Sequence, residues 1–195
     1  GILPTPSIGG VGLLDDFTKS ATLAFKAEGE AILLIGDTHG WLGQSVYLRD
    51  LCGREEGAPP PVDLEAEKRN GDVVRGMVHA GTVTAAHDIA DGGLLVALAE
   101  MAMAGNIGAW LDAGPEALVP HAWWFGEDQA RYIVTVPADQ ADTVLIKAHA
   151  VGVPCVRIGT TGGAAIAIAD EAPVAIAALR QTHESWLPAY MAGKD

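Results

Sequence analysis

The chain has 195 residues, of which 49% are hydrophobic and 19% are charged, which is typical of a globular protein with enough apolar material for a core. Its formal net charge of −13 argues against nucleic acid or an anionic membrane surface as the main binding partner. No apolar run approaches the roughly 20 residues that a membrane-spanning helix needs. The two cysteines, Cys52 and Cys155, lie far apart in the sequence, and we expect a reducing, cytoplasmic setting.

The N-terminal quarter carries two strand signals and one turn signal. Residues 8–14, IGGVGLL, predict a glycine-rich strand that ends at Asp15, and an ordinary edge strand would satisfy the local pattern. Residues 31–35, AILLI, form a continuous apolar run closed by Gly36, which predicts a central strand buried on both faces. In residues 40–45, GWLGQS, the glycines favour a plain tight turn before a helix. A backbone nest for phosphate is the alternative there, although no P-loop lysine follows.

A helix is predicted after the proline-rich loop at residues 55–61. Asp63 is a suitable N-cap, and we expect the helix to run to about Ala80 with apolar residues on one face. That face consists of Val73, Val74, Met77 and Val78.

The stretch HDIADGGL at residues 87–94 lies at a predicted strand-to-helix junction. Residues 83–86 predict a short buried strand before it, and residues 94–104 predict a helix that ends with the following glycine at the C′ position. Unpaired backbone N–H groups at a helix start attract anions, so such junctions collect binding chemistry. Asp88 and Asp91 are spaced to share one cation, or Asp91 simply caps the helix. The spacing alone favours the cap.

Beyond the junction, residues 107–111 predict a strand, residues 116–118 a short helix, and residues 132–136 a β-branched strand. Residues 123–125 are Trp-Trp-Phe. Three adjacent aromatic side chains cannot all face one core, so we expect part of this cluster to contact another domain or subunit.

The last third predicts a helix, a hairpin and a closing helix. Residues 138–151 are amphipathic, and TTGG at residues 160–163 is a hairpin turn signal between two short strands. Pro173 is expected at the first position of the closing helix, with Trp186 on or near its apolar face. Together these elements predict an α+β fold in which a mixed sheet is layered with helices.

Four ordered motifs carry a resemblance to a known family. HDIADGGL resembles the HDxSDGGL signature in the second half of the synthetase subunit of phosphoribosylformylglycinamidine synthases, in the aminoimidazole ribonucleotide synthetase superfamily. The stretches PTPSIGGVGL at residues 4–13, GWLGQSVYLR at residues 40–49 and FGEDQAR at residues 125–131 agree with it in order and spacing. Ala90 departs from the family, which usually has Ser at that position. The resemblance spans essentially the whole chain.

The resemblance implies a domain organisation. Residues 17–195 would form the C-terminal domain of an aminoimidazole ribonucleotide synthetase-like protein, and residues 1–16 would be a remnant strand of a preceding ATP-binding domain. The chain starts without Met, so we expect a fragment whose principal catalytic residues lie upstream of Gly1. We expect this fragment to be inactive alone, and to form a homodimer because strand 8–14 lacks its neighbours.

The resemblance also implies a site. Asp88 aligns with a magnesium-binding Asp in the family's catalytic half, and the triplet at residues 127–129 aligns with residues that contact the ribonucleotide substrate there. The implied ligand-binding residues are Gly92, Gly93, Glu127, Asp128 and Gln129. Without the resemblance, the two carboxylates of the triplet would be a solvated lead-in to the next strand, and a structural role for Asp88 and Asp91 is favoured.

The function implied for the parent protein is an ATP-dependent conversion of formylglycinamide ribonucleotide to its amidine in purine biosynthesis. ATP and Mg²⁺ would be its cofactors. Its partners would be the missing N-terminal domains, a glutamine amidotransferase subunit that delivers ammonia, and a small accessory subunit. Two alternatives stay open: another ATP-dependent enzyme of the superfamily, such as thiamine monophosphate kinase, or a purely structural scaffold domain.

Overall fold

The computed structural model describes residues 7–169 and 171–193, and within them seven strands form one sheet. The strands are β1 (Ala31–Ile35), β2 (Ala85–Asp88), β3 (Ala109–Leu111), β4 (Tyr132–Val136), β5 (Cys155–Thr161), β6 (Ala165–Ile168) and β7 (Val174–Ala175). Their order in the sheet is β2-β4-β1-β5-β3-β6-β7. All neighbours are antiparallel except β3 and β6, which are parallel, so the sheet is mixed as predicted.

In the part of the chain that the structure describes, five α-helices cover the two faces of the sheet. They are α1 (Leu64–His79), α2 (Gly93–Gly105), α3 (Pro120–Phe125), α4 (Ala141–Ala150) and α5 (Ile176–Met191). Short 3-10 turns lie at Phe17–Lys19 and Ala138–Gln140, and a π-helical turn lies at Tyr47–Leu51. Residues of α2, α3 and α5 pack on one face of the sheet, and residues of α1 and α4 pack on the other. The α+β prediction is confirmed. No helix within the described residues is both long and apolar enough to cross a membrane.

Strand β1 is the centre of both cores. Ile32 and Leu34 point into the core with α2, whereas Leu33 and Ile35 point into the core with α1 and α4. All five residues of the strand are buried because β4 and β5 flank it and helices cover both of its faces. The prediction of a central strand buried on both faces is confirmed.

The two helices that flank the β2 strand begin close to where the sequence predicts. Asp63 caps α1 by accepting hydrogen bonds from the N–H groups of Glu65 and Ala66, as predicted. Helix α2 is confirmed, but its C-terminus differs in detail. Gly105 is still helical, and Asn106 takes the left-handed conformation with φ of 54°. Asn tolerates this conformation better than most residues, so it replaces glycine in that role.

The predicted hairpin around residues 160–163 is wrong. Strands β5 and β6 do form, but they are not paired with each other, because β3 lies between them. Trp110 of β3 packs its ring against Gly162. The residue before β3, Gly108, donates a hydrogen bond from its N–H to Gly163 O and accepts one at its carbonyl oxygen from Gly162 N, both at 2.7 Å. The TTGG segment therefore connects β5 to β6 past β3, which lies between them. The residues of a turn favour its local conformation, but they do not predict that a distant strand lies between the two strands that the turn connects.

The closing helix starts later than predicted. Pro173 precedes the two-residue strand β7, and α5 begins at Ile176. Trp186 is 63% exposed and stacks on Tyr190, with ring centroids 5.4 Å apart, so its predicted place on the buried face is wrong. Ile176 and Leu179 in the first turns of α5 join the core with α2, and residues 181–188 of the helix are exposed.

The aromatic cluster at residues 123–125 lies on α3, and the predicted helix at 116–118 is only a turn. Trp123 and Trp124 are both buried in the core, in an edge-to-face pair, and Phe125 packs on Tyr47. Two of the three aromatics therefore belong to the core of this chain, and the expected contact with another domain or subunit stays a prediction for the half-buried Phe125. A helix distributes consecutive side chains around its axis, and α3 is covered on several sides, so all three aromatics find neighbours within the chain.

The N-terminal segment from residue 7 to residue 16 forms no strand, so the strand predicted over residues 8–14 is wrong for this chain. Ile8, Val11 and Leu13 are each more than 90% exposed. Residues 1–6 lie outside the described part of the chain. The assignment of residues 1–16 to a preceding domain stays a prediction.

Leu98 provides a test of the core on the α2 face. It is fully buried, so Leu98→Ala should remove apolar contacts, leave a cavity and lower the free energy of unfolding by about 2–5 kcal/mol. Val96→Ala on the exposed side of the same helix should change it by less than about 1 kcal/mol. Urea unfolding followed by circular dichroism measures both. Equal losses for the two variants would contradict this packing.

Candidate functional site

The β2–α2 junction places His87 and Asp88 at the end of a strand and Gly92 at the start of a helix. The Nδ1 atom of His87 lies 3.2 Å from Asp88 Oδ1, and its Nε2 atom lies 2.8 Å from Glu100 Oε2. The N-cap of α2 is Gly92 in a left-handed conformation, with φ of 80°, and as a glycine it has no side chain of its own to cap the helix. Asp91 is exposed and does not cap the helix, so the prediction that it does is wrong.

Glu127 takes the role that was predicted for Asp91. Its Oε1 atom accepts hydrogen bonds from the backbone N–H of Gly92 at 2.9 Å and of Val46 at 2.8 Å. One carboxylate therefore joins the start of α2 to the loop that follows β1. A negative charge is favoured at this position, since the first N–H groups of a helix have no partner within the helix. The local sequence pattern did not predict this interaction, because Glu127 lies 35 residues after Gly92.

Gly93 is required by close packing at the same point. Its φ is 73°, and a Cβ atom built there would lie 2.6 Å from the carbonyl oxygen of Gly126. Any other residue would separate the start of α2 from the loop that carries Glu127. The structure thus places Gly93 against the backbone of residues 125–126 and Gly92 on the carboxylate of Glu127.

Asp128 is buried beneath a loop of backbone N–H groups. Its carboxylate accepts hydrogen bonds from His39 N at 3.2 Å, Gly40 N at 3.0 Å and Trp41 N at 3.3 Å. Three successive amides that converge on one anion form a nest. The nest considered for residues 40–45 therefore exists at its first residues, and its anion is Asp128. The solvated interpretation of Asp128 is wrong.

Arg131 completes this buried polar cluster. Its guanidinium donates hydrogen bonds to Asp128 O at 3.0 Å, Thr38 Oγ1 at 3.1 Å and Gly126 O at 2.5 Å, and the side chain is fully buried. Burial lowers the pKa of Arg131, and the neighbouring Asp128 and Glu127 carboxylates oppose that shift. Arginine normally titrates above about 12, so the side chain stays charged and fastens the 126–131 loop to the end of β1.

A groove of about 340 Å³ collects several of the predicted site residues. Its lining includes Glu67, Asp88, Asp91, Glu127 and Gln129. The side chain of Asp88 is 69% exposed in this groove, and Gln129 is also exposed. The groove is therefore strongly acidic. No group of three or more His, Cys, Asp or Glu residues in the described chain is arranged to hold a metal ion.

The predicted site residues therefore fall into two groups. Asp88 and Gln129 present their side chains to the groove. The carboxylates of Glu127 and Asp128 accept hydrogen bonds from backbone amides instead. Burial raises the pKa of Tyr132, which lies on the same wall, and nearby Glu67 and Asp88 add to that shift.

The fold and these loops define a class of domain. Residues 27–170 match the family described as AIR synthase related protein, C-terminal domain, and the chain belongs to that family.

Its curated relatives are more specific. The chain is 76% identical over 194 residues to the phosphoribosylformylglycinamidine synthase subunit PurL of Rhodopseudomonas palustris strain BisB18. It is 78% identical over 194 residues to the subunit of the same name from Nitrobacter hamburgensis. In both comparisons the alignment covers 100% of this chain and 26% of the relative. The chain thus spans about a quarter of the length of the relatives it matches.

Solved structures share the fold. Thermotoga maritima PurL complexed with FGAR superposes with a TM-score of 0.71 at 21% identity, over 84% of this chain and 30% of that one. Thiamine-monophosphate kinase from Stenotrophomonas maltophilia superposes with a TM-score of 0.54 at 22% identity, over 79% of this chain and 54% of that one.

Asp128 provides a test of the buried cluster. Asp128→Ala leaves three backbone N–H groups without their acceptor and removes the carboxylate that lies 4.0 Å from Arg131 Nη1, so we expect the free energy of unfolding to fall by about 3 kcal/mol. Asp91→Ala is the matched control, and it should change stability by less than about 0.5 kcal/mol because Asp91 neither caps α2 nor is buried. Urea titration measures both. A large loss in Asp91→Ala would restore the capping interpretation.

Proposed function

We propose that this chain is the C-terminal domain of an ATP-dependent ligase that converts formylglycinamide ribonucleotide to formylglycinamidine ribonucleotide. The observation that carries the proposal is the identity of 73–78% to PurL subunits over at least 98% of the chain. The motifs GWLGQSVYLR, HDIADGGL and FGEDQAR, which carry the resemblance, all contribute to the buried cluster or the acidic groove. The solved structures of Thermotoga maritima PurL with ATP and with FGAR support both substrates for the parent protein.

The proposed chemistry proceeds in two steps. The amide oxygen of the substrate attacks the γ-phosphorus of ATP, and ADP leaves. Ammonia then adds to the activated carbon, and inorganic phosphate leaves to give the amidine. Positioned donors and a bound Mg²⁺ stabilise charge on the transferring phosphoryl group. The principal residues for these steps belong to the rest of the parent protein.

The role proposed for this domain is to hold loops at the edge of a nucleotide site. Glu127, Asp128, Gly92 and Gly93 would act by fixing the loop and helix backbones that face the ligand. Gln129 would contact it directly from the groove. The contacts of Glu127 and Asp128 with five backbone amides support this division, because a carboxylate with those partners has little capacity for another ligand.

Asp88 is proposed as a metal-binding residue of the parent. Its exposed carboxylate is available, and Mg²⁺ is commonly held by one or two carboxylates together with phosphate oxygens and water. Asp88 therefore fits as one ligand, with the remaining ligands supplied by a nucleotide or by other parts of the parent. The metal would neutralise phosphate charge there.

The proposed setting of the parent protein is the cytoplasm, with ammonia supplied from glutamine by an amidotransferase subunit and with a small accessory subunit. A solved assembly named PurLQS from Thermotoga maritima supports partner subunits. Residues 1–16 are proposed to complete a preceding domain. A kinase of the superfamily shares the fold, but the high-identity relatives favour the ligase.

Asp88→Ala in the full-length parent tests the site. If Asp88 binds Mg²⁺, the affinity for the magnesium–nucleotide complex should fall about tenfold, while Asp91→Ala should leave it unchanged. Calorimetric titration measures both. Unchanged affinity in Asp88→Ala would show that the junction is purely structural. The 195-residue chain alone is expected to release no ADP in the ligase assay.

The isolated chain is proposed to form a homodimer. Residues 8–14 present exposed apolar side chains, and Trp186 and Met191 add a second exposed apolar area at the end of α5. About 800 Å² covered on each partner is enough for a specific dimer. We expect light scattering after size exclusion, at tens of micromolar protein, to give twice the 20.2 kDa chain mass. Deleting residues 1–14 should give a monomer. A monomer from the full chain at high salt, where the −13 charge is screened, would refute this.

A further inference from the structure

Ala130 has a backbone conformation that is unusual for its residue type. Its φ is 59°, in the left-handed region, and its Cβ atom makes that region unfavourable. Ala130 follows Gln129 directly and lies shortly before β4 begins at Tyr132. Strained residues of this kind persist only where their surroundings hold them, and they are often found at functional sites. The contacts of Ala130 therefore show what holds this loop.

Two side chains of α1 bind the backbone of Ala130. Its N–H donates a hydrogen bond to Glu67 Oε1 at 2.9 Å, and its carbonyl oxygen accepts one from Asn70 Nδ2 at 2.9 Å. Glu67 and Asn70 are three residues apart, so both lie on the same side of the helix. A Cβ atom built on Gly36 would lie 2.5 Å from the same carbonyl oxygen. Ala130 is therefore held closely between α1 and the end of β1.

These hydrogen bonds restrict the peptide units on both sides of Ala130. The N–H of Ala130 belongs to the peptide unit that contains the carbonyl group of Gln129, and the carbonyl group of Ala130 belongs to the unit that it shares with Arg131. Because each peptide unit is planar, holding one group in each unit restricts the ψ angle of Gln129 and both dihedral angles of Ala130. The backbone from which the Gln129 side chain extends is therefore held by α1.

Helix α1 is a firm support for this loop. Asp63 caps its first turn by accepting hydrogen bonds from two backbone N–H groups. Val74 belongs to the core that α1 shares with β1, and the Asn70 side chain is only 2% exposed. The position of the two side chains that bind Ala130 is therefore fixed by the packing of the helix on the sheet.

We propose that Glu67 and Asn70 are positioning residues, which hold Ala130 in its left-handed conformation and thereby direct the side chain of Gln129 into the acidic groove. This inference rests on the proposed function, in which Gln129 contacts the nucleotide. Glu67 acts as a hydrogen-bond acceptor, and its charge is not required. It differs in this from Asp88, whose carboxylate is exposed in the same groove.

The conformation of Ala130 can be measured by NMR in the 195-residue chain. A positive φ brings the amide and α protons of one residue closer together than a negative φ does, so Ala130 should give a strong nuclear Overhauser effect between them. Glu67→Leu removes the acceptor and should weaken this signal, whereas Glu67→Gln keeps an acceptor oxygen and should preserve it. Glu65→Leu, the same change at an exposed residue near the start of α1, should also preserve it. An unchanged signal in Glu67→Leu, or an equal loss in Glu65→Leu, would refute the proposal.

Binding of the magnesium–ADP complex to the full-length parent tests the effect on Gln129. Gln129→Ala and Glu67→Leu should each raise the dissociation constant about threefold to tenfold, which corresponds to the loss of one hydrogen bond. The double variant should show no further loss, because both changes act on the same contact. Glu67→Gln should bind as the wild type does. Calorimetric titration measures all four variants.

The outcomes separate this inference from the proposed function. If Gln129→Ala weakens binding and Glu67→Leu does not, Glu67 does not position Gln129 and the inference is wrong. If Gln129→Ala leaves the affinity unchanged, the proposed contact between Gln129 and the nucleotide is wrong, and the NMR signal of Ala130 still decides whether Glu67 holds the loop.

Asn70→Leu tests the second contact. It keeps the approximate size of the side chain and removes the donor to Ala130 O, so it should weaken both the NMR signal and the affinity, as Glu67→Leu does. An unchanged signal in a folded Asn70→Leu would remove Asn70 from the proposal. Because Asn70 is buried and Glu67 is only half-buried, the Glu67 variants decide the proposal if Asn70→Leu does not fold.

Discussion

The carboxylate of Asp128, held by three backbone amides, is the interaction on which the loops of this domain depend. It joins the loop before β4 to the loop after β1, the neighbouring strand in the sheet, and Glu127 and Arg131 add further hydrogen bonds between the same loops. Arg131 donates to two carbonyl groups of the same turn and to Thr38 Oγ1, so one anion and one cation are buried together, each with three hydrogen bonds. Burial of charge is unfavourable unless partners replace water, and here backbone groups are most of the partners. The two loops are therefore held together because the carboxylate of Asp128, which precedes β4, binds the backbone amides of residues 39–41, which follow β1.

Glu127 extends this arrangement to α2. Because its carboxylate binds the N–H groups of both Val46 and Gly92, the loop after β1 and the start of α2 cannot move independently. The acidic groove lies next to this link, and Asp88 is presented into it from β2. Adjacent residues in one sequence motif thus have different roles. The carboxylates of Glu127 and Asp128 accept hydrogen bonds from backbone amides, whereas Gln129 lines the open groove. A motif shared within a family is consistent with either task, and only the contacts separate them.

Much of the fold follows from local sequence patterns. The apolar run at residues 31–35 predicted a fully buried strand, and Asp63 predicted the start of α1, because both signals act within a few residues. The prediction of a hairpin at residues 160–163 is wrong because β3, about fifty residues earlier in the sequence, lies between β5 and β6. The prediction that Asp91 caps α2 is wrong for the same reason, because Glu127, from a loop distant in sequence, binds the backbone at the start of the helix instead. In the candidate site, the resemblance indicates residues that lie on the loops around the groove, and their role as a site stays a prediction. Their burial and hydrogen-bond partners depend on contacts between distant segments, which no local pattern encodes.

The strand order has a consequence for how the chain is made. Of the six neighbouring pairs in the sheet, only β6 and β7 are consecutive in sequence. Strand β1 is synthesised before its partner β4, which begins at Tyr132, about a hundred residues after β1 ends at Ile35. At about 5–20 residues per second, a ribosome needs about 5–20 s to complete that interval. During this time the apolar strand has neither neighbour, and an unpaired apolar strand associates readily with other chains. Translation speed and chaperone access therefore bear on the yield of this domain as directly as its final stability does.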